Sequence, residues 1–123
     1  MTARILITGS RLLADAELVT RALASAVADY GPDLVVVHGA ARGADTLADR
    51  AARALGLRVE RRPADWAALG RRAGVVRNAE MVRDGADVLL AFPVGESRGT
   101  RDCMRRAAAA GIPVQVFESG GAP

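Results

Sequence analysis

Three short stretches of this chain combine glycine, arginine and a hydroxyl or carboxylate in a pattern that suits an anion. They are Gly9-Ser10-Arg11, His38-Gly39-Ala40-Ala41-Arg42-Gly43-Ala44-Asp45, and Gly95 through Arg98-Gly99-Thr100. Glycines let a ligand approach the backbone, N–H groups at a helix start attract phosphate, and a guanidinium fork grips it. In the second stretch Gly39 and Gly43 frame Arg42, which favours a ligand loop over a turn in which Gly43 merely packs helix on strand. Asp45 falls in a first helical turn, where a carboxylate is favoured, and is placed either to cap the helix or to take a ribose hydroxyl. His38, the only histidine, reads as a hydrogen-bonded structural group. In the first stretch Gly9 allows a tight turn, Ser10 offers a hydroxyl and Arg11 a guanidinium. A plain turn and a ligand contact are both open there. In the third, Gly99 and Thr100 bring free N–H groups and a hydroxyl to a helix start beside Arg98.

The elements that must position these loops follow from hydropathy. Ile5 to Thr8, Leu34 to Val37 and Val88 to Ala91 are apolar with almost no alternation, as strands covered on both faces are. Leu57 to Arg61 alternates and reads as a more exposed edge strand, and Val114 to Phe117 as a fifth strand. The first helical pattern places Val19, Leu23, Ala26, Val27 and Tyr30 on one face, with Asp15 as N-cap and Gly31-Pro32 as the stop. A second helix runs from Ala44 to Leu55, a short one from Asn78 to Asp84, with Asn78 as its N-cap, and a last one from Thr100 to Ala110. Residues 64–77 read as irregular. Strands alternating with helices imply a parallel sheet with right-handed crossovers. The expected fold is α/β, a Rossmann-like three-layer sandwich with a five-stranded, mainly parallel sheet of order 3-2-1-4-5. That order brings the three loops to one sheet edge around a topological switch point. Residues 1–118 are expected to form one domain and 119–123 a flexible tail.

Composition narrows the chemistry. The 123 residues are 50% hydrophobic and 25% charged, with a formal net charge of +3. All 17 basic residues are arginine, which removes a P-loop lysine and any Schiff base. No G-x-G-x-x-G follows the first strand, no acidic residue ends the second, and there is no nucleophile elbow or H-x-x-x-H spacing. Neither a metal site nor a standard dinucleotide cofactor site is therefore expected. Cys103 is the single cysteine, so no internal disulfide is available. A strand pattern begins at once after Met1, and no apolar run is long enough to cross a membrane; a cytoplasmic protein without membrane contact is expected. Aromatics are scarce. Trp66, in the irregular segment, suits core or dimer packing better than stacking on a base. Arg77 offers a fork for a phosphate or carboxylate, and Asn78 beside it is a further contact candidate.

Gly9-Ser10-Arg11, His38-Gly39-Ala40-Ala41-Arg42-Gly43-Ala44-Asp45, Ala64-Asp65-Trp66, Arg77-Asn78-x-x-Met81 and Phe92-Pro93…Arg98-Gly99-Thr100-x-Asp102-Cys103 occur in one order. In that order the chain resembles the YspA/YpsA-related branch of the SLOG superfamily over about residues 4–117. The superfamily also holds the LOG-type phosphoribohydrolases and the Rossmann domain of the DNA-processing protein DprA. The resemblance implies a nucleotide-derived ligand, such as an NAD- or ADP-ribose-like molecule, and dimerisation through helices flanking the site. It also draws Pro93 and Gly95 into the site, as parts of a phosphate loop. That loop, Pro93 to Thr100, is about two residues longer than the usual Pro-Gly-Gly-x-Gly-Thr. Cys103 stands where the LOG-type enzymes carry a glutamate, and Asp102 lies one helical step away.

The expected function is binding or sensing of a nucleotide-derived small molecule. The alternative is hydrolysis of an N-glycosidic bond in such a molecule, which needs a carboxylate; Asp45 and Asp102 are the candidates, with Glu80 behind them. Nucleic-acid binding through Arg58, Arg61, Arg62, Arg71 and Arg72 is the less favoured reading, because only Trp66 interleaves with them.

Overall fold

Apolar runs that do not alternate must be covered on both sides, and the sheet of this protein is. The structure is a computed structural model and describes residues 2–118; the expected tail, 119–123, lies outside the described residues. The strands β1 (Ala3–Gly9), β2 (Leu34–His38), β3 (Arg58–Arg61), β4 (Val88–Phe92) and β5 (Val114–Val116) are all parallel, in the order β3-β2-β1-β4-β5. This is the expected α/β, Rossmann-like sandwich. Helices α1 (Ala16–Tyr30) and α2 (Ala44–Ala54) cover one face, where Val19, Leu23, Ala48 and Ala52 meet Ile5, Ile7, Val36, Val88 and Leu90. Helices α4 (Ala73–Arg83) and α5 (Arg98–Ala109) cover the other, where Met81, Val82, Cys103 and Ala107 meet Leu6, Val37 and Leu89. Neighbouring residues of β1 thus serve opposite cores, as the period of two requires. β3 is an edge strand with no buried residue. Arg4 of β1 ties it in by two 3.2 Å bonds to Glu60, and Arg62 joins Glu60 to Asp84 at the end of α4.

Local chemistry sets most boundaries as expected. Asp15 caps α1 by accepting from the Leu18 N–H at 3.1 Å, and Gly31 ends it at a φ of 84°. Segment 64–77 is the exception. It contains a short helix α3 (Trp66–Leu69), capped by Asp65, then a 3-10 turn at Gly70–Arg72, and α4 starts at Ala73. Gly70, with a φ of 58°, turns the chain between the two helices, and Gly74 is simply helical. The expected start at Asn78 is therefore five residues late, and Asn78 is a buried residue inside α4, not an N-cap.

The chain reverses its direction of growth between β1 and β4, so the loops after these strands part and leave a crevice at their carboxyl ends. The loop after β2 forms the third side. Two glycines hold it against the loop after β1. At Gly9 a Cβ would strike the Cβ of Ala44, and at Gly43 it would strike the carbonyl oxygen of Ser10 and the backbone of Arg11. In that contact the Ala44 N–H donates to the Ser10 carbonyl at 3.1 Å. Gly43 also has a φ of 72°, a conformation that side chains resist. We expect Gly43→Ala to cost roughly 2–4 kcal/mol. Gly99, which has open space around it, should tolerate alanine within ~1 kcal/mol. Urea denaturation of both variants checks this; equal stabilities would show that the two loops are not locked together at Gly43.

Candidate functional site

The crevice holds a cleft of about 350 Å³. Thr8, Gly9 and Arg11 line it from the first loop, Ala41 and Asp45 from the second, and Ser97 to Thr100 from the third. Trp66 and Arg71 approach from the α3 segment, and Gly74, Val75, Arg77 and Asn78 from α4.

Asp45 shapes the second loop. It is only 5% exposed, and it neither caps its own helix nor pairs with an arginine. Its Oδ2 accepts the Gly39 N–H at 3.1 Å and the Ala41 N–H at 3.2 Å, so the loop curls back over the carboxylate. Between those two donors Ala40 is forced to a φ of 59°. His38 holds it there: Nδ1 accepts the Ala40 N–H at 2.9 Å, which leaves the ring proton on Nε2, 2.6 Å from Asp49. His38 is thus the hydrogen-bonded structural group expected of it. The other oxygen of Asp45, Oδ1, is buried with no hydrogen-bond partner among the described residues. Burial pushes the carboxyl above its ordinary range, against the Ala41 N–H, the electrostatic pull of the His38 ring and of the Arg77 charge, and the Gly39 N–H.

Arg77 and Asn78 join the second loop to the third. The Arg77 guanidinium lies over Gly39, where any Cβ would strike it, and donates to the Gly39 carbonyl at 2.6 Å. Its Nε donates to Asn78 Oδ1 at 3.1 Å. Asn78 Nδ2 in turn donates to the Gly99 carbonyl and to Asp102, both at 3.2 Å. In the third loop Ser97 sits in the left-handed region, and its hydroxyl donates to Thr100 at 2.7 Å. Among the described residues no side chain caps α5, whose first turn, Arg98 to Thr100, lines the cleft. Arg11, Arg71, Arg77 and Arg98 line the same cleft, and Asp45 is the single carboxylate among its walls.

Of the residues singled out from sequence, Gly9, Arg11, Asp45, Arg77, Asn78, Arg98, Gly99 and Thr100 meet in this cleft. Gly39 and Arg42 border an adjoining cavity that shares Arg11, Ala41, Trp66 and Arg77 with it. Ser10 lies apart: it is buried, its hydroxyl accepts the Leu12 N–H and its carbonyl is taken by Ala44. Gly43 is a packing glycine. Pro93 and Gly95 line a groove beside Leu12 and Asp15 instead. The longer loop leans that way because Arg101 donates to the carbonyls of Gly95 and Glu96. Asp102 is not in the cleft wall and is engaged by Asn78 and Arg106. Glu80 lines a separate cavity. Cys103 is fully buried, and burial pushes its thiol up to about 11, which makes it a core residue and not a nucleophile. Trp66 is not in the core; half of its surface is exposed. Sequence reasoning missed Thr8, Gly74, Val75 and Ser97, and named Arg71 only for the nucleic-acid reading. The signal for Gly74 was its spacing of three and four from Arg77 and Asn78, which places all of them on one helical face.

No group of three or more His, Cys, Asp or Glu among the described residues can hold a metal ion, and no helix among them is long and apolar enough to cross a membrane. The basic stretch considered for nucleic acid is largely paired: Arg58 with Asp33, Arg61 near Asp49, and Arg62 with Glu60 and Asp84.

The raised Asp45 carboxyl has a measurable sign. Between its unfolded value and its higher folded value, the native state binds more protons than the unfolded chain, so this group makes stability fall as pH rises. Asp45→Asn removes that slope. Urea midpoints of wild type and Asp45→Asn, compared from pH 4 to pH 8, are expected to diverge in favour of the asparagine variant as pH rises. Divergence the other way would show a carboxylate stabilised in place.

Comparison with known proteins agrees with this architecture. The chain is 57% identical over 119 residues to the Gene 61 protein of Mycobacterium phage D29, covering 93% of this chain and 95% of that one. The X-ray structure of DNA processing protein A (DprA) from Streptococcus pneumoniae superposes with a TM-score of 0.74 at 18% identity over 94% of this chain, a likeness of fold. This chain spans 50% of that longer one. Residues 3–68, from β1 through β3 and into α3, match the YspA, cpYpsA-related SLOG family, and the chain belongs to that family.

Proposed function

We propose that this protein binds a small phosphorylated ribosyl compound of the nucleotide class, such as an ADP-ribose-, NAD- or nucleoside-monophosphate-like molecule. The observation that carries the reading is the Oδ1 of Asp45, buried and unpartnered among the described residues, on a residue that lines a cleft together with four arginines. A buried acceptor without a donor is costly, and a ribose hydroxyl is a donor that fits it. The arginines and the uncapped start of α5 suit phosphate. The two chemistries belong to one ligand when a sugar hydroxyl and a phosphate sit a few bonds apart.

Hydrolysis of an N-glycosidic bond is the second reading, and one observation favours it. A carboxyl raised by burial in a cleft is the usual form of a general acid or base, and Asp45 is one. A LOG-type arrangement is not supported, since its glutamate position is the buried Cys103 and Asp102 is held outside the cleft.

Titration calorimetry with ADP-ribose, NAD and nucleoside monophosphates tests the binding reading. Arg98 is exposed and, among the described residues, pairs only with Glu96, so Arg98→Ala should fold normally and weaken phosphorylated ligands about tenfold. Asp45→Asn should weaken ribosyl ligands similarly while leaving inorganic phosphate unaffected. No binding at millimolar concentration would refute the proposal. Release of free base that is lost in Asp45→Asn would establish hydrolysis in its place.

A further inference from the structure

Trp66 is the unused feature of this cleft. The chain has four aromatic residues, and two of them, Phe92 and Phe117, stack on each other with centroids 5.2 Å apart. Trp66 is 50% exposed and stands where the main cleft and the adjoining cavity meet. It is held there by short-range structure. Asp65 accepts the Ala68 N–H and fixes the turn that carries the ring. Gly74 of α4 lies against the ring's edge, and a Cβ at that position would come within 3.4 Å of it. The ring has a cation over it, the Arg11 guanidinium, 5.7 Å from the centroid.

We propose that Trp66 is the platform on which the base of the ligand stacks, with Arg11 passing from the ring to the ligand's phosphate as the base takes its place. The proposal rests on the nucleotide-binding reading and narrows it: the ligand carries an aromatic base and is not a bare sugar phosphate. Three observations meet in it. The ring is exposed inside the cleft and not at a remote surface. Its neighbour at position 74 is a glycine and presents no side chain to the ring's edge. The group over the ring is a cation that a phosphate attracts more strongly than an indole does. Stacking on one ring without hydrogen-bond readout tolerates different bases, so discrimination between purines and pyrimidines is expected to be modest.

Trp66 is the only tryptophan, which makes its emission a direct reporter. Titrations of wild type, Trp66→Phe and Trp66→Ala with the four nucleoside 5′-monophosphates and with ribose 5-phosphate test the proposal, by calorimetry for all three and by fluorescence for wild type. The expected result is that the monophosphates bind more tightly than ribose 5-phosphate and change the emission of wild type. Trp66→Ala then loses roughly 5- to 100-fold for the monophosphates, Trp66→Phe loses much less, and the loss does not extend to ribose 5-phosphate. Equal binding of monophosphates and ribose 5-phosphate, or an equal loss for both in Trp66→Ala, overturns the platform while the binding reading stands. Absence of binding by every probe overturns both. Emission that shifts with protein concentration in the absence of ligand assigns the ring to an interface between copies and also overturns the platform.

Discussion

The carboxylate of Asp45 is the constraint on which the site depends. Placing a carboxylate in a buried position is costly unless donors meet it, and here the donors are the backbone of the loop that precedes it. Gly39 and Ala41 turn their N–H groups inward to reach Oδ2, and the chain can do so only by driving Ala40 into the left-handed region. That strain, of order 1–3 kcal/mol for a residue with a side chain, is offset by His38, which accepts from Ala40 and is itself held by Asp49. Asp49, His38 and Asp45 therefore act as one support, and the loop's shape is set before any ligand arrives. Preorganisation of this kind lowers the ordering cost of binding.

The support reaches the other walls through α4. Arg77 rests on the Gly39 carbonyl and Asn78 on the Gly99 carbonyl, and the two side chains bond to each other. One turn of helix thus spans the cleft and fixes the separation of the second and third loops. Gly39 is a glycine for that reason: the guanidinium occupies the volume a Cβ needs. The first loop is fixed differently, by direct backbone contact of Ser10 with Gly43 and Ala44. Three loops from distant parts of the chain behave as one rigid edge.

The sheet was legible in the sequence because its signals are local and strong. Leu34 to Val37 and Val88 to Ala91 are short, continuous apolar runs, as strands covered on both faces are, and the glycines that end the helices, Gly31 before Pro32, Gly56 and Gly111, mark where the next strand begins. The strand order was read as the Rossmann-like one among those that right-handed crossovers allow, not from any residue. What was not legible depended on contacts between segments. Residues 64–77 read as irregular because Gly70 and Gly74 interrupt the pattern, yet only Gly70, with the positive φ, turns the chain, and Gly74 is helical. Trp66 read as core or dimer packing because size and scarcity favour burial, and the placement of α3 against α4 leaves the ring half exposed. Ser10, Pro93 and Gly95 sit in the right loops, but side-chain direction within a loop has no period to read. Ser10 is consumed by the turn it makes, and Pro93 and Gly95 are drawn aside by Arg101.

The same geometry bears on why the chain uses arginine so heavily at this edge. Charge in the cleft is sorted by depth: the acid is on the floor, 5% exposed, while Arg11, Arg71 and Arg98 stand at the rim, where water still reaches them. A carboxylate beside the phosphate of the proposed ligand would repel it, and an arginine beside Asp45 Oδ1 would satisfy that oxygen and leave nothing for the proposed hydroxyl to do. Arg77 could have filled that role, since its charge is felt by Asp45. It is instead committed to Gly39 and Asn78. The clamp that joins the loops is therefore also what keeps the floor of the site unpaired, and the architecture and the chemistry of the cleft depend on the same guanidinium.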